Sequence, residues 1–120
     1  MHSMKMALII CLAAALSACA FTPSDVTVPP DGIYRGRYTK QFEVSSFQPC
    51  GTSEQWWVTG RVKSLIARLT SGGFVRGAAY VELLGRVSSR GHHGHLGGYP
   101  REFTVERVLL VRPHRRSDCP

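Results

Sequence analysis

Aspartate is scarce in this chain of 120 residues, and none occurs between Ile33 and Arg112. That stretch therefore lacks the carboxylate that usually orients the histidine of a Ser–His catalytic pair. The sequence also has no Gly-x-Ser-x-Gly elbow, no Cys-x-x-Cys pair and no glycine-rich phosphate-binding loop. These absences disfavour a hydrolase, a paired-cysteine zinc protein and a nucleotide-dependent enzyme, so we expect no catalytic residues and no enzymatic activity.

The chain also lacks an apolar run of the ~20 residues that a membrane-spanning helix needs. The run Ala7–Leu16, preceded by Lys5, has the length of a signal-peptide core. Leu16-Ser17-Ala18-Cys19 resembles the lipobox of bacterial lipoproteins. The resemblance implies that residues 1–18 are removed and that Cys19 carries acyl chains, several of which give stable anchoring. Ordinary secretion, with Cys19 incidental, is the alternative.

The residues that follow the cysteine bear on location. Ala20 stands where an Asp would resemble the inner-membrane retention signal of proteobacterial lipoproteins. We therefore expect an outer-membrane lipid anchor, with the domain facing the periplasm and the membrane as a partner. Residues 19–31 are polar and proline-rich, which predicts a semi-extended tether ahead of one small domain over residues 32–112.

Acidic residues are few relative to basic ones. The chain has 15 Lys and Arg against 8 Asp and Glu, a net charge of +7. Removal of Lys5 with the signal leaves 14 minus 8, or +6. A basic surface favours an anionic polymer, lipid headgroups or an acidic envelope protein as partner, whereas nucleic acid is not expected outside the cytoplasm. The alternative is that the charge only keeps a small domain soluble.

Period-two alternation of apolar and polar residues dominates the domain, which predicts half-buried strands. The first stretch is long enough for two strands, with a break near Lys40, and its apolar parity includes Phe42. Val108 and Leu110 make the last strand apolar on both faces, which predicts burial between layers there. The predicted strand regions are Tyr34–Val44, Glu54–Thr59, Ala79–Val87 and Arg101–Val111.

A stretch with helical spacing of apolar residues separates the second and third predicted strand regions. Val62, Leu65, Ile66 and Leu69 share one face of a helix that we expect to end at Gly72-Gly73. The opposite face is basic, which is also typical of a membrane-surface helix. We favour a short helix that caps one end of a barrel. The order of the elements predicts a mainly β fold, a small OB-like β-barrel with one short capping helix.

Several strand sequences then suggest a family. The runs Gly36-Arg37-Tyr38, Phe42-Glu43-Val44-Ser45-Ser46-Phe47-Gln48-Pro49-Cys50 and Trp56-Trp57-Val58, with residues 79–87 and 103–107, follow one another in this order. This succession resembles the OB-fold domain of the NlpE-type copper-resistance and envelope-stress lipoproteins. The resemblance implies the fold and an envelope location. The Cys-x-x-Cys barrel that accompanies this domain in the family has no counterpart in the chain.

Cysteine usage predicts one disulfide. Cys11 leaves with the signal peptide and Cys19 takes the lipid, so Cys50 and Cys119 remain as an even pair in an oxidising compartment. Closing a loop of roughly 70 residues stabilises a protein by on the order of 4 kcal/mol. The alternatives are two unpaired thiols or an intermolecular bridge from the basic tail, residues 113–120.

Three histidines in a glycine-rich loop are the candidate metal ligands. His92, His93 and His95 lie within residues 88–100, where flexible backbone could let their imidazoles converge on copper or zinc. No carboxylate lies between Ser88 and Arg101 to orient the rings. The alternatives are solvated histidines or an ordered loop packed over the barrel end, and our expectation is that no cofactor is bound.

The carboxylates on the later strands have a structural interpretation. Glu102 and Glu106 share a face, and Glu82 could sit opposite them. We expect these carboxylates to pair with Arg86, Arg101 or Arg107 on a solvated face. We conclude from the sequence that the protein is a lipid-anchored cell-envelope binding or structural module of undefined ligand. One alternative is a periplasmic divalent-metal-binding lipoprotein. Another is an envelope protein or enzyme inhibitor, although a basic protein would repel lysozyme, which is itself basic.

Overall fold

A computed structural model describes residues 26–72 and 78–119, and the predicted signal peptide and Cys19 lie outside these ranges. The order of elements is the predicted one, with the first strand region divided in two. The elements are β1 (Tyr34–Gln41), β2 (Val44–Pro49), β3 (Trp56–Gly60), α1 (Val62–Ser71), β4 (Ala78–Val87), a 3₁₀ turn at His95–Gly97 and β5 (Glu102–Pro113).

The five strands form a closed barrel in the order β1-β2-β3-β5-β4, with β4 pairing back onto β1. All neighbours are antiparallel except β3 and β5, which run parallel. Closure removes the unpaired sheet edges that an open five-stranded sheet would expose. Together with a helix between β3 and β4, this order confirms the predicted mainly β, OB-like barrel.

The β1–β2 hairpin corrects one detail of the sequence pattern. The chain turns at Phe42 and Glu43, two residues after the expected break at Lys40, and Glu43 adopts φ 57°. Phe42 therefore lies in the turn and not among the inward-facing residues of the strand, and 90% of its surface is exposed.

Aromatic and branched side chains fill the barrel. Tyr34, Phe47, Trp56 and Phe103 lie close together, with ring centroids 5.0 to 6.4 Å apart in the contacting pairs. Gly36 lets β1 approach β2, because a Cβ there would lie 2.1 Å from the Gln48 carbonyl oxygen. A glycine inside a strand is typical of such a close backbone approach.

Two bulges explain why the end of β5 is apolar on both faces. Leu84 and Gly85 oppose Arg107 and Val105, so Glu106 is an extra residue, and a second register shift makes Leu109 extra as well. A bulge bends the strand and re-aims its side chains. Residues 108–112 are accordingly half-buried, and not buried between two layers as the sequence suggested.

The helix behaves as a capping element. Leu65 and Leu69 of α1 are buried in the barrel core, and the helix contacts β5. Its basic residues Arg61, Lys63 and Arg68 are exposed, so the polar face is solvated in the isolated chain. Within the described residues, no helix combines the length and the apolarity needed to cross a bilayer.

The chain already packs against the barrel before residue 31, where the predicted tether was expected to end. Val26 contacts the hydrophobic core and forms a wall of two clefts, of about 410 and 660 Å³, at one end of the barrel. Asp31 then accepts hydrogen bonds from the Ile33 amide and from the Arg35 guanidinium, at 3.0 and 2.8 Å. The ordered domain therefore includes at least residues 26–31 of the predicted tether.

Candidate functional site

A polar groove of about 320 Å³ crosses the outer face of the barrel between the β1–β2 hairpin and the long loop, residues 88–101. Strand alternation produces this face. Tyr34 and Tyr38 point into the core, so the alternate residues of β1 point outward, and Thr39 pairs across the sheet with Ser46. The groove is lined by Arg37, Thr39, Gln41, Val44, Ser46, Gln55 and Tyr99.

Side-chain hydrogen bonds hold Gln55, one of the residues that line the groove. The Gln55 side-chain N–H donates to the Gln48 side-chain oxygen at 3.0 Å, and Gln48 in turn donates to the Thr52 carbonyl at 3.0 Å. These bonds fix the orientation of the Gln55 side chain. A wall of amide, hydroxyl and guanidinium groups offers many hydrogen-bond donors and acceptors, with one aromatic ring beside them.

Trp57 fastens the long loop to this face. Trp56 points into the core, so Trp57 points outward, where its ring lies 5.3 Å from that of Tyr99. Gly94 (φ 68°) sits directly on the indole, and a Cβ at this position would lie 2.3 Å from Trp57 Cδ2. The adjacent tryptophans are the signal that could have located this contact, because strand alternation must place one of the two on the outer face.

Backbone hydrogen bonds order the loop as an extension of β4 and β5. His93 and Tyr99 exchange N–H···O bonds of 3.0 and 3.1 Å, and the Gly91 amide donates to the Pro100 carbonyl at 2.8 Å. This agrees with the ordered alternative for the loop, although it packs on Trp57 at the barrel wall. At its tip Leu96 has φ 56° and is 92% exposed.

The three candidate metal ligands occupy different surroundings. The His93 ring lies 3.2 Å from both the Ser88 hydroxyl and the Ser89 carbonyl oxygen. His92 Nδ1 is 3.4 Å from the Gly97 carbonyl oxygen, and His92 and His95 are exposed. In the described part of the chain, no three His, Cys, Asp or Glu side chains form a group that could hold a metal ion. Copper or zinc binding at this loop stays an alternative hypothesis.

A charged cluster supports the base of the loop, and the sequence did not predict it. Arg101, expected on a solvated face beside Glu102 and Glu106, is only 1% exposed and lies 3.6 Å from Glu54. Glu54 accepts a 2.9 Å hydrogen bond from the Trp56 indole and forms an ion pair with Arg90. The Trp56 hydrogen bond and then the Arg90 hydrogen bond hold the pKa of Glu54 below its usual range.

Glu106 and Glu82 are engaged at separate places. Glu106 pairs with Arg86 at 2.8 Å, one of the expected partners. Glu82 does not lie opposite Glu106, because the register places it across from Leu110, and it pairs with Arg35 at 3.2 Å. The acidic side chains of β4 and β5 therefore do not converge on one point.

The disulfide between Cys50 and Cys119 is present, as the sequence predicted, and joins residues 69 positions apart. It fastens the tail, residues 114–119, to the turn after β2. Asp118 reinforces the attachment, since it pairs with Arg112, whose guanidinium lies 4.1 Å from the centre of the Tyr80 ring. The Arg112 hydrogen bond lowers the pKa of Asp118. Most of the predicted basic tail is thus attached to the barrel.

No protein-family model, curated protein or solved structure matches this chain.

Proposed function

We propose that this protein is a lipid-anchored binding module of the bacterial cell envelope whose polar groove holds an anionic glycan. In this proposal, Cys19 carries the acyl chains, the outer membrane holds the anchor, and the barrel faces the periplasm. The resemblance of the strand sequences to NlpE-type lipoproteins agrees with an OB-like envelope domain. The role is binding and not catalysis.

The chemistry of the groove supports a glycan. Sugars present hydroxyl groups that pair with amides and hydroxyls, as offered by Gln41, Gln55 and Ser46. Arg37 supplies a planar, always charged group for a carboxylate on the polymer. The loops of OB barrels that flank this face are a general binding position for oligosaccharides, but fold alone does not assign a ligand.

The observation that carries the proposal is the placement of Tyr99 at the groove wall. Its backbone is tied to His93 by two hydrogen bonds, and its ring packs against Trp57. A ring whose backbone is fixed and which packs against a neighbouring ring loses little conformational freedom when a ligand contacts it. The groove therefore has one prearranged apolar surface beside its polar lining.

The early packing of the chain supports an anchored arrangement. Val26 contacts the core and lies seven positions after Cys19. Seven extended residues span at most about 25 Å. If Cys19 is acylated, this short connection keeps the barrel close to the bilayer and presents its groove to polymer within the neighbouring wall layer.

Co-sedimentation of the full-length protein with insoluble, carboxylate-bearing cell-wall glycan tests the groove. Tyr99→Ala and Arg37→Gln should each weaken binding roughly tenfold, because each removes one direct contact. His95→Ala, on the same loop outside the groove, and Arg116→Gln, with the same charge change, are the matched controls and should bind as the parent does. Equal loss in the variants and their controls would refute the groove as the binding surface.

The anchor is tested separately by intact mass of the protein extracted from host membranes. The parent chain should carry a diacylglycerol mass at Cys19 and lack residues 1–18. Cys19→Ser should abolish both changes, because the thiol is the site of acylation. An unacylated parent chain would contradict the anchor without bearing on the groove.

A further inference from the structure

Another cleft of about 410 Å³ lies between α1 and β5, away from the polar groove and from the two clefts beside Val26. Arginine dominates its lining, in contrast to the amides of the groove. Its walls are formed by Arg61, Ser64, Arg68, Glu106, Arg107 and Val108.

Local backbone geometry places two of the three arginines beside the cleft. Gly60 (φ 81°) lets the chain press against β5, where a Cβ would lie 2.5 Å from the Val105 carbonyl oxygen. The next amide, of Arg61, donates to that same oxygen at 2.9 Å, which holds Arg61 beside β5. Arg107 follows the bulge at Glu106, which turns two successive side chains of β5 outward.

Arg68 reaches the cleft from the helix. One of its guanidinium nitrogens donates to the Val108 carbonyl at 3.0 Å, so the side chain is oriented along β5. A guanidinium has five N–H donors, and this contact leaves the others available. The fork geometry of those donors matches the oxygens of a phosphate group.

The charge in the cleft is poorly balanced by the protein itself. Its one carboxylate, Glu106, is engaged by Arg86 at 2.8 Å outside the lining set. Within residues 26–72 and 78–119, the arginines Arg61, Arg68 and Arg107 form no ion pair. Three like charges held at one cleft repel each other, and an anion with several oxygens relieves that repulsion.

We propose that this arginine cleft is an anion site that binds a phosphate group, carried by a lipid headgroup or by free phosphate. Three guanidinium groups and the Ser64 hydroxyl surround the phosphate oxygens. The volume of the cleft leaves room for a glycerol or sugar attached to the phosphate. The site is independent of the polar groove, because the two share no lining residue.

The test is a calorimetric titration of the full-length protein, in an uncharged detergent, with inorganic phosphate. The cleft variant Arg61→Gln/Arg68→Gln/Arg107→Gln should weaken binding by roughly tenfold or more. The control variant Lys40→Gln/Arg115→Gln/Arg116→Gln removes the same charge from exposed positions outside the cleft and should bind within about twofold of the parent. Arg61→Gln/Arg107→Gln keeps the Arg68–Val108 contact. Loss of phosphate binding in this double variant, with the tryptophan fluorescence and urea midpoint of the parent, separates binding from folding.

Equal weakening in the cleft and control variants would overturn the proposal, because net charge alone would then explain binding. Absence of saturable phosphate binding by the parent would overturn it too. Addition of phosphatidylglycerol to the micelles distinguishes the two sources. Competition that raises the apparent Kd for phosphate, and is lost in the cleft variant, identifies the lipid headgroup. Unchanged phosphate binding by the parent identifies free phosphate.

Discussion

The tail and the long loop are both irregular segments fastened to the barrel wall, but by different means. The tail is joined covalently through Cys50–Cys119 and by the Arg112–Asp118 pair. The long loop is held by ring packing on Trp57 and by hydrogen bonds. A covalent attachment fixes a segment regardless of fit, whereas a packed loop can adjust. The loop that forms the groove wall is therefore the attachment that a single side-chain change can release.

Removing the covalent attachment should give the largest effect. Cys50→Ala/Cys119→Ala should lower the free energy of unfolding by about 2–5 kcal/mol, because the unfolded chain regains the freedom of a long loop. Urea denaturation of the full-length protein measures this change. The same variant should leave glycan binding within about twofold of the parent, since the tail does not line the groove. A loss below about 1 kcal/mol would show that the tail attachment contributes little.

Breaking the packed attachment should have a smaller effect on stability and a larger one on binding. Gly94→Ala places a Cβ against the Trp57 ring at a positive φ, and should lower the free energy of unfolding by about 1–3 kcal/mol. Gly32→Ala is the matched control, because Gly32 also has a positive φ (72°) but open space around its Cβ. Tryptophan fluorescence and glycan co-sedimentation report the displaced loop. Equal effects at both glycines would show that backbone strain, and not contact with Trp57, is responsible.

Acid should loosen both segments, and this is the smallest effect expected. Glu54 at the base of the loop and Asp118 in the tail both have a lowered pKa. A carboxyl group of this kind stabilises the fold above its unfolded pKa, and the contribution is lost as pH falls through the folded pKa. Stability should therefore decline below about pH 4.

Matched amide variants separate the two contributions. Glu54→Gln should flatten the acid response of the tryptophan fluorescence, because the Trp56 indole donates to the Glu54 carboxylate. Asp118→Asn should leave that response in place while flattening part of the acid loss in urea denaturation. An unchanged acid response in both variants would contradict the assignment to these two carboxyls.

The barrel was predictable because its evidence is local. Alternation in β1 placed Tyr34 and Tyr38 inside, and the helical period placed Leu65 and Leu69 on the buried face. The disulfide followed from the count of remaining cysteines. These features depend on residue spacing along a single element, which the sequence displays directly.

The candidate sites depended on relations between elements and were largely missed. Arg101 is buried because Glu54, from a distant part of the chain, meets it at the loop base. Arg107 faces the arginine cleft because of a bulge, whose position depends on the register with β4. Tyr99 becomes a groove wall only when the loop lies on Trp57. Neither register nor loop placement is encoded in the period of one strand.

Hydrogen–deuterium exchange of the full-length protein, with and without soluble carboxylated fragments of cell-wall glycan, tests the proposed groove most directly. The account predicts slower exchange in peptides covering residues 37–57 and 88–100, with no change across the helix at residues 62–71. Protection confined to the helix or to the tail, or no protection with saturating glycan, would contradict the assignment of the groove as the ligand surface.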